Sequence, residues 1–384
     1  MIKDFFIIAY ENIRTRKLRS WLTMIGIFIG IAMVVALIST GEGMQDAIEE
    51  QFSTIGADVI TIQPGAGMLS TGGAESSSVL TEKDFKAIQR TRGVDIAGGM
   101  NFKSALIEYD EEFKYGIIIG MPTDESKELF EDVFIEIQRG RDLKAGDKYK
   151  VMLGDSYQYP DLVFDKEIGL RDSMIINGQK FKVVGFMKKV GNPEDDKNIY
   201  ITMETYRDFF DDPDNYNYIM ARAKKGSSPQ TVADAIIDKL RKSRNVDKGK
   251  EDFTVQTMDE MMESFGAILD IVQIVLLGIV AISLVVGGVG VMNTMYTAVM
   301  ERTREIGLMK AIGARNSSIL LLFVIESGIY GLVGGAIGIV LGLLISQGIA
   351  AAAVPVIGEG LMQVSIKAWL IFGALAFSFQ YIIT

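Results

Sequence analysis

Long uncharged segments are the feature that most constrains the fold of this chain. The first, residues 20–41, reads SWLTMIGIFIGIAMVVALISTG and contains no Asp, Glu, Lys or Arg. A helix of that length, at a rise of about 1.5 Å per residue, crosses a hydrocarbon core roughly 30 Å thick. Further apolar segments lie at 268–293, 318–347 and 368–384. The sequence therefore predicts a membrane protein with four transmembrane α-helices.

The first and last of these segments each leave a question. Basic residues precede segment 20–41, as in a signal peptide, but its apolar run exceeds the usual ~7–15 residues and no small-residue cleavage site follows, which favours a membrane anchor. Segment 368–384 would span only about 25 Å as a helix. It ends in FSFQYIIT without a basic anchor, which indicates a fourth helix that is cut short.

Lys and Arg counts predict the orientation. Residues 1–20 carry five such residues, 293–317 carry four, and 348–367 carry only Lys367. Because basic loops stay inside, residues 1–19 and 294–317 are predicted to be cytoplasmic, and 42–267 and 348–367 extracytoplasmic. Residues 1–19 also place Ile2, Phe5, Phe6, Ala9 and Ile13 on one helical face, with basic residues near the end. This pattern predicts an amphipathic helix that lies on membrane lipid.

Composition excludes several classes of function. The 384 residues include no Cys and no His, which removes most zinc sites and Ser-His or thiol catalysis. A net charge of −10 argues against nucleic acid as a partner. The sequence has no G-x-x-x-x-G-K-[ST] phosphate loop. Two acidic stretches, 192–198 and 211–215, either bind calcium or are solvated turns, and neither has EF-hand spacing. We therefore expect no enzyme activity, no cofactor and no metal.

Segment 42–267 mixes strand and helix signals. ADVITIQPG (57–65) is typical of a strand, and SMIINGQKFKVVGFM (173–187) of a β-hairpin turning at Asn177-Gly178. Thr81 precedes an amphipathic helix with Asp84 at its third position, which is a capping pattern. NIYITMETYRDFF (198–210) is typical of a strand followed by a helix. The prediction is a large α+β domain inserted between transmembrane helices 1 and 2, β-rich at roughly 100–203.

Glycines recur at four-residue spacing within the apolar segments, and such series allow close helix packing in lipid. They indicate either a dimer interface with helices that slide, or packing within one subunit. A carboxylate inside the third segment, Glu326, indicates either packing and anchoring or a transport role. The glycines are Gly26, Gly30, Gly287, Gly288, Gly331, Gly334, Gly335, Gly338 and Gly342.

A charged stretch, ERTREIGLMKAIGAR (301–315), separates the second and third apolar segments. Its apolar residues Ile306, Met309 and Ile312 recur at three-residue steps, and Gly313 lies where a left-handed cap would end a helix. Glu301 and Arg304 would be i, i+3 neighbours on such a helix. The pattern predicts a short two-sided helix at the membrane surface, either a docking site or a tether whose charges only set topology.

Several of these segments resemble one known family. KLRSWLTMIGIFIGIAMVVAL, ERTREIGLMKAIGAR and ESGIYGLVGGAIGIVLG are similar to hallmark segments of FtsX-like, MacB-type ABC transporter permeases. IQRGRDLKAGDKYKVMLGD and INGQKFKVVGFMKKVG resemble the MacB-type periplasmic core. The resemblance covers nearly the whole chain in the same order. Family members usually continue past the fourth helix into a short basic tail, which this sequence lacks.

The resemblance implies a permease that works by mechanotransmission with a separate cytoplasmic ABC ATPase subunit, as a homodimer and with an extracytoplasmic adaptor or substrate. The charged helix would be the coupling helix that docks on the ATPase. A competing interpretation is a membrane-anchored sensor or scaffold. The residues matching the coupling motif are Glu301, Arg302, Arg304, Glu305, Gly307, Lys310, Gly313 and Ala314, and Met309 is added for its expected surface position.

Overall fold

The computed structural model describes residues 17–65, 78–130, 136–190, 192–357 and 363–383. Residues 1–16, which form most of the predicted amphipathic surface helix, lie outside these ranges. The chain divides into two compact units. The helical unit comprises Met1–Ala47, Gly266–Val354 and Leu361–Thr384, and the α+β unit comprises Ile48–Phe265 and Pro355–Gly360.

The described residues form helices and strands in mixed order, and short 3₁₀ turns occur at Glu125–Lys127, Asp155–Gln158 and Asp195–Lys197. In chain order the elements are α1 (Lys17–Ile55), β1 (Val59–Pro64), β2 (Leu80–Thr81), α2 (Glu82–Gln89), β3 (Val94–Tyr109), β4 (Glu112–Met121), β5 (Ile137–Gly140), β6 (Lys150–Leu153), β7 (Ser173–Ile176), β8 (Gln179–Met187), β9 (Ile199–Thr202), α3 (Met203–Phe210), β10 (Asn215–Tyr216), β11 (Tyr218–Ala223), α4 (Pro229–Arg244), β12 (Phe253–Thr257), α5 (Met258–Glu301), α6 (Thr303–Ala311), α7 (Asn316–Ile357) and α8 (Ala368–Ile383).

The α+β unit is built on a mixed sheet of ten described strands in the order β12-β1-β11-β3-β4-β9-β6-β8-β5, with β7 beside β3 and β8. The long strand β3 pairs antiparallel with β11 through its first half and with β4 through its second half. Parallel pairs join β4 to β9 and β6 to β8. A two-stranded pair, β10-β2, lies apart. The α+β class agrees with the prediction from the local patterns, but the sheet also includes β1, β11 and β12, which lie outside the predicted β-rich region of roughly 100–203.

Three local predictions in this unit are confirmed. The hairpin of β7 and β8 turns at Asn177 and Gly178, whose φ angles of +43° and +83° are those of a type I′ turn. Thr81 caps α2 by a reciprocal pair of bonds with Asp84. β9 leads directly into α3, as predicted for residues 198–210. These features were predictable because each depends on neighbours close in sequence.

An ionic cluster around Asp147 fixes the loop between β5 and β6. Arg141 donates two hydrogen bonds to this carboxylate, at 2.6 and 3.2 Å. Lys150 Nζ donates at 2.7 Å, and the backbone N–H of Lys144 donates at 3.1 Å. These donors, Arg141 foremost, hold the pKa of Asp147 well below its usual range. The carboxylate is therefore charged in the folded protein and bonded on both oxygens.

We expect Asp147→Asn to lower the free energy of unfolding by about 1–3 kcal/mol at pH 7, a value reduced for the partial exposure of Arg141 and Lys150. Because folding depresses the pKa of Asp147, its stabilisation is present above pH ~4 and is lost as the pH falls below that value. We would measure the free energy of unfolding of the detergent-solubilised chain at pH 7 and at pH 3. The difference between the two values should therefore be smaller for the variant than for the parent chain. Asp234→Asn, on the exposed side of α4, is the control; a loss as large as that of Asp147→Asn would contradict the assignment.

In the helical unit, three described helices are long and apolar enough to cross a membrane, with candidate spans at Phe28–Glu50, Met258–Val289 and Asn316–Val354. A shorter apolar stretch, Ala368–Gln380, lies in α8. The helices extend beyond the predicted segments: α1 continues past residue 41, and α5 begins before residue 268. The hydropathy pattern ended the predicted segments too early because the ends of these helices contain charged residues.

Contacts between the helices fix their relative directions. Going along α1 from Ile31 to Val35 to Thr40, the partners on α7 are Gly338, Gly342 and Ser346, so these two helices are parallel. Going along α7 from Gly331 to Gly335, the partners on α8 run from Ser378 back to Leu375, so α8 is antiparallel to α7. A small apolar core of Ile31, Val35, Ile339, Leu370 and Ala374 joins the three helices.

Candidate functional site

The charged stretch between α5 and α7 forms its own helix, α6, but it starts later than predicted. α5 continues through Glu301, and the chain breaks at Arg302, whose φ and ψ are −98° and +13°. Arg302 is buried. The prediction that Glu301 lies on one helix with Arg304 and Glu305 was therefore wrong. The break was not predictable, because Arg302 makes no side-chain cap to the helix that follows it and no other residue type near it indicates a helix end.

The end of α6 follows the prediction closely. Gly313 has φ = +93°, the left-handed conformation that glycine adopts without strain. Its N–H bonds the carbonyl of Lys310 at 3.0 Å, and the N–H of Ala314 bonds the carbonyl of Met309 at 3.0 Å. This pair of bonds is a Schellman cap, which satisfies two carbonyls that the helix end would leave free.

α6 has no buried residue among its nine, although Ile306 and Met309 are half-buried. Leu308 is 63 % exposed, and Ile312, directly after the helix, is 81 % exposed. Met309, which was expected at the surface, is half-buried, so Leu308 is more accessible to a partner than Met309. The charged side chains of Arg304, Glu305 and Lys310 are also exposed, and an added Cβ at Gly307 would meet no atom within 4 Å. Exposed apolar groups between opposite charges suit α6 to bind another protein.

The glycine series of α7 packs within the chain, and it serves two different partners. A Cβ at Gly338 would lie 2.9 Å from the carbonyl oxygen of Phe28, and one at Gly342 would lie 2.7 Å from that of Ala32. Both carbonyls belong to α1. Gly335 instead faces Ser378 of α8, at 2.9 Å from an added Cβ. Only glycine lets the backbones come this close.

The remaining glycines and the membrane carboxylate are less informative. The carbonyl of Gly331 accepts a 2.6 Å hydrogen bond from the hydroxyl of Ser378. Gly30 and Gly334 are buried, and Gly287 and Gly288 are half-buried. The side-chain environments of Gly26 and Glu326 lie outside the described residues, although both positions belong to helices, α1 and α7 respectively.

Sequence reasoning missed a polar turn in α1, residues 39–43 (STGEG). Thr40 and Ser346 of α7 share a 2.9 Å hydrogen bond between their hydroxyls. A Cβ at Gly41 would lie 2.5 Å from Nε2 of Gln273 on α5. Small and polar residues cluster at the end of the apolar segment, and this cluster could have indicated a contact site between helices. A hydropathy pattern uses such residues only to mark where a span ends.

Two family descriptions match the chain. The MacB-like periplasmic core domain matches residues 20–239, more than half of the sequence, and the FtsX-like permease C-terminal domain matches residues 277–381. The chain belongs to the MacB-type, FtsX-like family of ABC transporter permeases. The second match includes α6, α7 and most of α8, so the exposed helix and the glycine series both belong to the permease domain of this protein.

Relatives of this permease come from archaea and bacteria. An uncharacterized ABC transporter permease of Methanocaldococcus jannaschii is 36 % identical over 382 residues, which are 98 % of this chain and 92 % of that protein. YknZ of Bacillus subtilis, also named an uncharacterized ABC transporter permease, is 28 % identical over 87 % of this chain and 84 % of its own. The macrolide export ATP-binding/permease protein MacB of Marinobacter nauticus is 29 % identical over 91 % of this chain but only 54 % of its own. This permease thus spans about half the length of the MacB proteins it matches.

Among solved structures, the periplasmic region of MacB from Actinobacillus actinomycetemcomitans is similar, with a TM-score of 0.47 and 16 % identity. The similarity covers 57 % of this chain and 97 % of that one.

Proposed function

We propose that this permease is the membrane subunit of an ABC system in which a separate cytoplasmic ATPase binds α6 and moves it. The helices would pass this movement to the extracytoplasmic domain, which exports or extracts a substrate. The exposure of Leu308 and Ile312 on a short helix between two long apolar helices carries the proposal. The permease names of the relatives and the lack of a phosphate loop in this sequence support it. Hydrolysis then takes place in the partner, and the chain itself is no enzyme.

The helix directions support a cytoplasmic position for α6. Because α1 and α7 are parallel, the start of α1 and the segment before α7 lie at the same end of the helical unit. Both segments are the basic ones, with five Lys or Arg in 1–20 and four in 293–317. The positive-inside rule assigns that common end to the cytoplasm. Residues 42–267 and 348–367 are then extracytoplasmic, and α8, antiparallel to α7, is the fourth span.

We further propose that the functional form is a homodimer with two ATPase subunits, surrounded by membrane lipid. α5 supports this arrangement, because Val280 is the one buried apolar residue among the described side chains of 266–301, and many of the other apolar side chains described there are exposed. Exposed span surface is covered by lipid or by another helix. The extracytoplasmic domain would contact the substrate or an adaptor protein.

Copurification tests the proposed function. The tagged permease, extracted from membranes of the cells that naturally produce it, should retain an ABC ATPase at about one copy per permease chain. A membrane-anchored sensor or scaffold needs no such partner. Recovery of intact, folded permease without any protein carrying a G-x-x-x-x-G-K-[ST] motif would therefore contradict the proposal and favour the scaffold.

A further inference from the structure

A short segment without regular secondary structure lies across the polar turn of α1. Residues 363–367, which we call the strap, lead directly into α8. The hydroxyl of Ser39 donates a 2.7 Å hydrogen bond to the carbonyl of Ser365, and the N–H of Ser365 donates to the carbonyl of Ser39 at 3.3 Å. The strap is thus joined to Ser39 by one side-chain and one backbone hydrogen bond, although the two segments are more than 300 residues apart in sequence.

Gly43 makes this contact possible. A Cβ at this position would lie 1.7 Å from the carbonyl oxygen of Gln363 and 3.0 Å from the backbone nitrogen of Ser365. The obstacle is strap backbone, which cannot rotate away as a side chain can. Any residue larger than glycine at position 43 therefore has to displace the strap. The site lies within the helical unit, at the end opposite to α6.

The charges at the strap are incompletely matched. Lys367 Nζ lies 3.5 Å from a carboxylate oxygen of Glu42 and 3.5 Å from one of Asp46, one helical turn further on. That oxygen of Glu42 is buried and accepts no hydrogen bond from the described residues. A buried carboxylate oxygen held only by a long ion pair is poorly compensated, so the closed strap is less stable than its contacts suggest. Small polar contacts of this kind break more readily than the apolar packing of α1 against α8.

We propose that residues 363–367 form a releasable latch between α1 and α8, closed in this structure, and that the latch opens during the transport cycle. Release frees the start of α8 from α1 while the apolar contacts deeper in the helices persist. The opening part of this proposal depends on the proposed function, because it assigns the energy source to the ATPase. The latch contact itself depends only on the helical unit.

Thiol labelling tests the latch, since the chain contains no Cys of its own. In a Ser365→Cys background, Gly43→Ala should increase the labelling rate with a water-soluble maleimide about tenfold, because the added methyl displaces the strap. Gly348→Ala, at a helix position where an added Cβ meets nothing within 4 Å, is the matched control and should leave the rate unchanged. Lys367→Met, which removes the charge without crowding, should also increase the rate, and Lys367→Arg should not. Equal rates in all variants would overturn the latch.

A disulfide between Ser39→Cys and Ser365→Cys tests the opening. The oxidised permease should still bind the ATPase but should stimulate ATP turnover at least tenfold less than the reduced one, with recovery on adding a reductant. Full stimulation by the oxidised permease would overturn the opening step. A parent chain that binds no ATPase would contradict the proposed function instead, while the labelling rates would still decide whether the latch exists.

Discussion

Gly338→Leu is expected to lower the free energy of unfolding of the helical unit by roughly 1–3 kcal/mol, the usual cost of overpacking a tight contact. A Cβ at this position already comes within 2.9 Å of the Phe28 carbonyl oxygen and of Ile31 Cβ. Both atoms belong to or adjoin the backbone of α1, so neither can move without moving the helix. The remaining carbons of leucine would force α1 and α7 apart along their shared face, with loss of the contact at Gly342.

Gly348→Leu is the control for this prediction, because it lies on the same helix and an added Cβ there meets no atom within 4 Å. Unfolding of both variants by heat in the same detergent should show a lower midpoint for Gly338→Leu and a nearly unchanged one for Gly348→Leu. If the two variants unfold alike, the glycine series is not an internal packing surface, and a dimer interface becomes the better explanation.

Leu308→Asp is expected to weaken binding of the ATPase by about 30-fold, which corresponds to the loss of roughly 2 kcal/mol. Leu308 is 63 % exposed on a helix with no buried residue, so the free chain gives no folding reason for an apolar group there. An aspartate would carry an unpaired charge into the contact, which costs more than the lost apolar area alone. The permease itself should insert and fold normally.

Leu162→Asp serves as the control for surface charge. Leu162 is 56 % exposed but lies in the α+β unit, so the same chemical change at similar exposure should leave ATPase binding unaffected. Binding is measured by titrating purified ATPase onto the permease in lipid nanodiscs. Equal losses in the two variants would indicate a general effect on the protein, and α6 would no longer be a specific docking site.

Features with local causes were predictable from the sequence. The type I′ turn at Asn177-Gly178 depends on two adjacent residues, and the capping box at Thr81 depends on residues three apart. The left-handed end of α6 at Gly313 follows from glycine's tolerance of positive φ. In each case the conformation depends on residue types at, or within three residues of, the position that adopts it.

Features that depend on distant partners were not predictable. The break at Arg302 is followed by a helix start without a side-chain cap, so no residue type announced it. Gly331 and Gly335 face α8, whereas Gly338 and Gly342 face α1, and the four-residue spacing gave neither partner. The latch joins Ser39 to Ser365 across almost the whole sequence. Spacing along a helix gives the direction of a side chain but not the identity of its neighbour.

Site-directed cross-linking shows directly whether the ATPase binds α6. A single Leu308→Cys in this cysteine-free chain, carrying a thiol-attached photoreactive group of ~10 Å reach, is irradiated in membranes that also contain the ATPase. We expect a cross-linked permease–ATPase product from position 308 and none from the same group at Leu162→Cys. A product from position 162 alone, or no product from position 308 while the two subunits copurify, would show that the ATPase binds elsewhere than at α6.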